Sequence, residues 1–119
     1  MGKNILIADD NVKFCNSAEM ILKKEGYEVD TAHNGEEALK KMKDKKYDAV
    51  LLDIIMPVLT GLDTCQKIKK DRKLRDTIVI MLSGNVTEIE ISFDYGADDC
   101  FLKPVDWQKV LERMSSLIN

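Results

Sequence analysis

Five short apolar runs alternate with five longer amphipathic stretches along the 119 residues, and this alternation constrains the fold more than any other feature. The runs are Ile5-Leu6-Ile7-Ala8, residues 27–32, Ala49-Val50-Leu51-Leu52, Ile78-Val79-Ile80-Met81-Leu82 and Cys100-Phe101-Leu102. The first, third and fourth are continuously apolar and rich in Val, Ile and Leu, as strands covered on both faces are. The second alternates apolar and polar and reads as an edge strand. Between and after them the spacing predicts helices over 11–25, 36–43, 61–70, 86–95 and 106–118. Their inward stripes are Phe14, Ala18, Ile21 and Leu22; Ala38, Leu39 and Met42; Leu62, Cys65 and Ile68; Val86, Ile89 and Phe93; and Trp107, Val110, Leu111, Met114, Leu117 and Ile118. Gly26 follows Lys23 and Lys24 as a helix stop. Strand and helix thus alternate five times, with connections short enough to require right-handed crossovers. The expected fold class is α/β, a (βα)5 doubly wound parallel sheet in the order 2-1-3-4-5. Five units are too few for a closed eight-stranded barrel.

The length fits one domain spanning residues 1–119. A formal net charge of −3 argues against direct nucleic-acid binding. No apolar run approaches the roughly 18 residues of a membrane span, and the N-terminus lacks the apolar stretch of a signal peptide. Cys15, Cys65 and Cys100 are widely spaced and form no CxxC pair, so neither a disulfide framework nor a zinc site is expected. Reduced thiols and a cytoplasmic location follow as expectations. The lysine clusters at 40–46 and 67–73 fall near helix C-termini, where they suit the helix dipole. His33, the only histidine, is expected in a solvated loop.

Polar residues stand at one edge of the expected sheet. The first strand runs into Asp9-Asp10, the third into Asp53, the fourth into Ser83-Gly84 and the fifth into Lys103-Pro104. Sites in open parallel sheets form at the carboxyl ends of strands, where strand order reverses. Three carboxylates, a hydroxyl and an ammonium should therefore converge. Close carboxylates repel one another unless a cation lies between them. Oxygen donors without His or Cys favour Mg²⁺, which binds a few carboxylates and completes its shell with water and phosphate oxygen. A lysine and a hydroxyl opposite would take the remaining oxygens of a phosphoryl group. Asp53, ending the central strand, is the candidate nucleophile for an acyl phosphate. Taken alone, Asp9-Asp10-Asn11 could simply cap the first helix. Capping and metal binding are compatible.

These residues resemble the receiver domain of two-component response regulators, of the chemotaxis-regulator-like type. The resemblance rests on Asp9-Asp10, Asp53-Ile54-Ile55-Met56-Pro57 with Gly61, Ser83-Gly84, Gly96-Ala97-Asp98-Asp99 and Lys103-Pro104, with Asn34-Gly35-Glu36-Glu37-Ala38-Leu39 as a further similarity. It runs from residue 4 to about 118 and implies the flavodoxin-like version of the fold. It also implies that Asp53 accepts a phosphoryl group from a histidine kinase, a histidine phosphotransfer protein or a small phosphodonor. Asp10 and Asp53 would bind Mg²⁺ directly, Asp9 through a water, and Ile55 through its main-chain carbonyl. Ser83 and Lys103 would hold phosphoryl oxygens, and the Lys103-Pro104 bond would be cis. The fourth helix, fifth strand and fifth helix would form the face that meets an effector domain or downstream protein, or pairs into a phosphorylation-dependent dimer. Ile91 and Tyr95 are candidates for an exposed apolar strip there. Such a protein catalyses only its own phosphorylation and dephosphorylation and is not a turnover enzyme.

One departure stands out. The switch position three residues before the lysine, usually Tyr or Phe in the family, is Cys100. Phe101 should face the other side of the sheet by strand alternation. Ile55 brings no acid or amide to orient a water, so slow self-dephosphorylation is expected. Other functions fit less well. A haloacid-dehalogenase-type phosphatase needs a second acid at position 55, and a nucleotide or flavin protein needs a Gly-rich loop or GxxxxGK[ST]. A phosphorylation-independent scaffold of receiver shape remains the alternative that Cys100 permits.

Overall fold

Parallel strands β1 (Asn4–Ala8), β2 (Glu28–Ala32), β3 (Ala49–Asp53), β4 (Ile78–Ser83) and β5 (Asp99–Leu102) form one sheet in the order β2-β1-β3-β4-β5, as expected. The computed structural model describes residues 2–118; Met1 and Asn119, the two ends of the expected domain, lie outside the described residues. The helices are α1 (Val12–Lys24), α2 (Gly35–Asp44), α3 (Gly61–Lys70), α4 (Val86–Ser92) and α5 (Trp107–Ile118), with a 3₁₀ turn, Phe93–Tyr95, after α4.

Side-chain alternation in the strands divides the core into two layers. Leu6, Val50, Leu52, Val79 and Met81 pack with residues of α2 and α3 on one face. Ile5, Ile7, Leu51, Ile80 and Leu82 pack with residues of α1 and α5 on the other. β1, β3 and β4 are therefore buried on both faces, which explains their unbroken apolar character. Cys100 packs against the first layer and Phe101 against the second, so Phe101 does not substitute for a ring at position 100.

The ends of the helices follow the sequence signals closely. Asn11, Asn34, Thr60 and Asn85 cap α1 to α4 through their side chains. Gly26, just past α1, has φ +95°, a conformation glycine adopts without strain. His33 is exposed, as expected of a loop residue, and its N–H donates to Glu37 Oε1 at 2.7 Å.

α4 departs from expectation. Val86 and Phe93 are 58% and 50% exposed rather than inward. Ser92 is buried instead, donating its hydroxyl to the Ile89 carbonyl at 2.7 Å, which removes the cost of burying it. The helix tightens to 3₁₀ over Phe93–Tyr95, and its buried side is set by Ser92 rather than by Val86 and Phe93. Ile91 is exposed as expected, whereas Tyr95 is only partly so.

Candidate functional site

β1 and β3 lie side by side at the centre of the sheet, with Ala8 opposite Leu52, so the residues that follow each strand emerge together. Asp9 is 1% exposed. Its Oδ1 accepts the Asn11 N–H at 2.9 Å and its Oδ2 accepts Lys103 Nζ at 2.7 Å. Asp10, the next residue, is exposed. Asp53 closes β3, and carboxylate oxygens of Asp9, Asp10 and Asp53 all lie within 4.8 Å of one another. The capping role falls on Asn11, whose Oδ1 accepts the Phe14 N–H at 3.1 Å, leaving the three carboxylates facing a common space.

Lys103 reaches this group from the far edge of the sheet. Its backbone N–H donates to the Ser83 carbonyl at 2.7 Å, and the Lys103-Pro104 bond is cis. The ammonium stands 2.7 Å from Asp9 Oδ2, 3.4 Å from Asp53 Oδ1 and 4.3 Å from the centre of the Phe14 ring. The ring face adds a cation–π contact to the two carboxylate contacts. Burial alone would lower the Lys103 pKa; the bonds and charges of Asp9 and Asp53 outweigh it and hold the ammonium above its ordinary value. For Asp53, burial comes first and the Asp9 charge second; together they outweigh Lys103 and raise the carboxyl to about 6.

The loop after β3 is shaped against Asp53. The Gly61 N–H donates to the Ile54 carbonyl at 2.7 Å, and a Cβ at Gly61 would stand 2.1 Å from the Asp53 carbonyl oxygen. Only glycine permits that approach. Ile55 and Val58, on the same loop, are 66% and 73% exposed at the carboxyl end of the sheet. Val58 has φ +71°, and Leu59 N–H donates to the Pro57 carbonyl at 2.8 Å, a γ-turn on a β-branched residue.

Ser83 ends β4, one residue beyond Leu82, the register partner of Asp53, and is 2% exposed. Its hydroxyl accepts the Asn85 N–H at 3.0 Å and donates to Glu88 Oε1 at 2.6 Å. In this structure the Ser83 proton is thus committed to α4. Glu88 was not singled out from the sequence, although Asn85-x-x-Glu88 carries the spacing of a capping box. Phe14 was assigned only to the core; no local signal could place its ring under a lysine 89 positions further on.

The donor set suits a hard divalent cation. One ammonium against three carboxylates leaves two negative charges uncompensated, and every side-chain donor is oxygen. No helix among the described residues is long and apolar enough to cross a membrane.

The response regulator receiver domain family matches residues 5–115. Among curated proteins, the transcriptional regulatory protein CpxR homolog of Haemophilus influenzae is 34% identical over 116 residues, covering 96% of this chain and 49% of the relative. Response regulator ArlR of Staphylococcus aureus is 32% identical over 114 residues, covering 96% and 52%. This chain therefore spans about half the length of the curated relatives it matches. Among solved structures, TrrA from Thermotoga maritima, in complex with Mg²⁺ and beryllium fluoride, superposes with TM-score 0.88 at 37% identity, covering 97% of this chain and 98% of that one. A CheY-like receiver domain protein from Methanospirillum hungatei superposes with TM-score 0.90 at 32% identity, covering 99% and 94%.

Proposed function

Because this chain belongs to the response regulator receiver domain family, we propose that it is a phosphoryl-accepting signalling switch in which Asp53 carries the phosphoryl group. The observation that supports this reading best is the convergence of the charged side chains. Asp9, Asp10 and Asp53 present oxygens within 4.8 Å of one another, with Lys103 bonded across them.

In this reading Asp10, Asp53 and the Ile55 main-chain carbonyl would hold Mg²⁺, and Asp9 would assist through a water. The ion, when bound, neutralises charge on the carboxylates and on the phosphoryl oxygens. The protein's own residues do the rest. An Asp53 carboxylate oxygen attacks phosphorus as the P–N bond of a donor phosphohistidine breaks, and the leaving imidazole takes up a proton. Lys103, positioned by Asp9 and by the Phe14 ring, pairs with one phosphoryl oxygen; Ser83 donates to another. In this reading the protein catalyses only its own phosphorylation and dephosphorylation, so it is a switch and not a turnover enzyme.

Receivers of this family interact with histidine kinases and effector domains. Here the donor is a sensor histidine kinase or histidine phosphotransfer protein. Val12, Ile55, Val58 and Val86, exposed on the loops and helix starts at the carboxyl end of the sheet, offer it an apolar rim around the acidic cavity. The output face is the surface of α4, β5 and α5, where Val86, Ile91, Phe93 and Leu102 are exposed. It contacts an effector domain or a downstream protein, or pairs two copies after phosphorylation. The three free thiols suit a reducing compartment, and we assign the protein to the cytoplasm.

Incubation with a small phosphodonor and Mg²⁺, read by intact mass, tests the proposal. Wild type gains one base-labile phosphoryl group, and Asp53→Ala gains none. A wild-type protein that stays unmodified, or an Asp53→Ala variant modified equally, overturns it in favour of a phosphorylation-independent scaffold.

A further inference from the structure

The N-terminus of α4 is capped in an unusual way. Asn85 is the N-cap and Glu88 stands at the third helical position, from which a carboxylate ordinarily reaches back to the backbone N–H of the cap residue. Here the two do not meet directly. The Asn85 N–H donates to the Ser83 hydroxyl oxygen at 3.0 Å, and the hydroxyl donates to Glu88 Oε1 at 2.6 Å. Ser83 is thus inserted into the reciprocal cap. The hydroxyl also lies 3.4 Å from the Asn85 carbonyl, but the short bond to a carboxylate is the stronger use of its one hydrogen.

That single hydrogen cannot serve Glu88 and a phosphoryl oxygen together. We infer that Glu88 is a positioning residue that holds Ser83 in its resting orientation. Phosphorylation moves the Ser83 hydrogen bond from Glu88 to the phosphoryl group, and Glu88 then closes directly on the Asn85 N–H. This inference rests on Asp53 being the phosphoryl acceptor.

The arrangement has two states because both are fully paired. Withdrawing the hydroxyl frees a carboxylate acceptor and a backbone donor, which are complementary and already share one helical turn. Neither is left without a protein partner, so the exchange trades one hydrogen bond for another. Re-forming the cap repositions the first turn of α4, including Val86, which is 58% exposed. The signal therefore passes from Asp53 to the surface of α4 through the cap itself. No aromatic ring at position 100 is needed, and Cys100, whose thiol donates to the Ile89 carbonyl at 3.6 Å, stays with the helix.

The test uses Mg²⁺ with beryllium fluoride as the phosphoryl mimic, with affinity and the ¹⁵N amide resonance of Asn85 as readouts. Glu88→Ala removes the competitor for the Ser83 hydrogen and binds the mimic about tenfold more tightly than wild type, the order expected for releasing a hydrogen bond to a charged group. Glu88→Gln, whose amide oxygen still accepts from Ser83, falls between the two. The Asn85 amide shifts when wild type is saturated with the mimic, and Ser83→Ala shows that shifted position with no mimic present. Equal or weaker binding by Glu88→Ala, or an Asn85 amide unmoved in saturated wild type, overturns the role given to Glu88. A wild type that binds no mimic at all overturns instead the assignment of Asp53, and with it the premise.

Discussion

Asp53 illustrates how a site residue is maintained at a cost to the fold. Its carboxyl is raised to about 6 by burial and by the neighbouring Asp9 charge, against an ordinary value of 3.8. Between those values the folded chain binds more protons at this group than the unfolded chain does. Stability contributed by protonated Asp53 is present at low pH and is lost as pH rises from about 4 through about 6. The difference in unfolding free energy between wild type and Asp53→Asn should therefore change across that window, without Mg²⁺, by about 1–3 kcal/mol in favour of the variant at pH 7. Denaturant titrations at pH 4, 5, 6 and 7 measure it; a flat difference would contradict the burial argument. Ile55 belongs to the same scale. Its exposed alkyl side chain cannot orient a water toward the phosphoryl group. Ile55→Asn supplies an amide there and should speed loss of the phosphoryl group about tenfold, equivalent to roughly 1.4 kcal/mol of barrier. An unchanged decay rate, followed by intact mass after removal of donor, would count against the slow self-dephosphorylation expected of this chain.

Among the elements, the loop from β3 to α3 is the most constrained. Gly61 must approach the Asp53 backbone, and the chain bridges the distance with a γ-turn at Val58. A β-branched residue at φ +71° carries strain of about 1–2 kcal/mol, and Val58 is 73% exposed, so little packing offsets it. Val58→Gly should remove the strain, at some cost in unfolded-chain entropy, for a net gain of about 1 kcal/mol or about 4 °C in Tm. Thermal unfolding followed by circular dichroism checks this, and a lower Tm would mean that the Val58 side chain contributes packing its exposure does not suggest. α3 is tied down at its other end by a lysine. Lys69 donates to the Thr77 carbonyl at 2.7 Å and pairs with Asp98 at 2.8 Å, whose carboxylate also accepts the Val79 N–H. Lys69, one of the lysines expected only to suit the helix dipole, thus joins α3 to the starts of β4 and β5.

For the molecule as a whole, one sheet serves two core layers. Leu51 and Leu52 are adjacent in β3 and fully buried, yet they face opposite layers. Trp107, the only tryptophan, packs with the layer that contains Leu51, its ring 6.0 Å from that of Phe14. Because the layers share their strands, neither can unfold alone. Leu52→Ala, in the layer away from Trp107, should cost about 2–5 kcal/mol. The loss should appear equally in the Trp107 fluorescence transition and in the circular dichroism transition. Fluorescence left at the wild-type midpoint would show that the layers are independent.

The sequence by itself determined the five βα units, the sheet order, the two edge positions and the gathering of Asp9, Asp10, Asp53 and Lys103 at one edge. The units rest on strand periodicity and short connections, which are local or close to it, while the order and the shared edge follow the common arrangement of five doubly wound units. Only the tertiary structure decided which way α4 turns, which partner takes the Ser83 proton, and that Phe14 lies beneath Lys103 while Lys69 is drawn off the surface. A helix as short as α4 carries too few apolar positions to specify its own rotation, and a hydroxyl or an ammonium bonds to whatever group the packing of distant elements brings within about 3 Å.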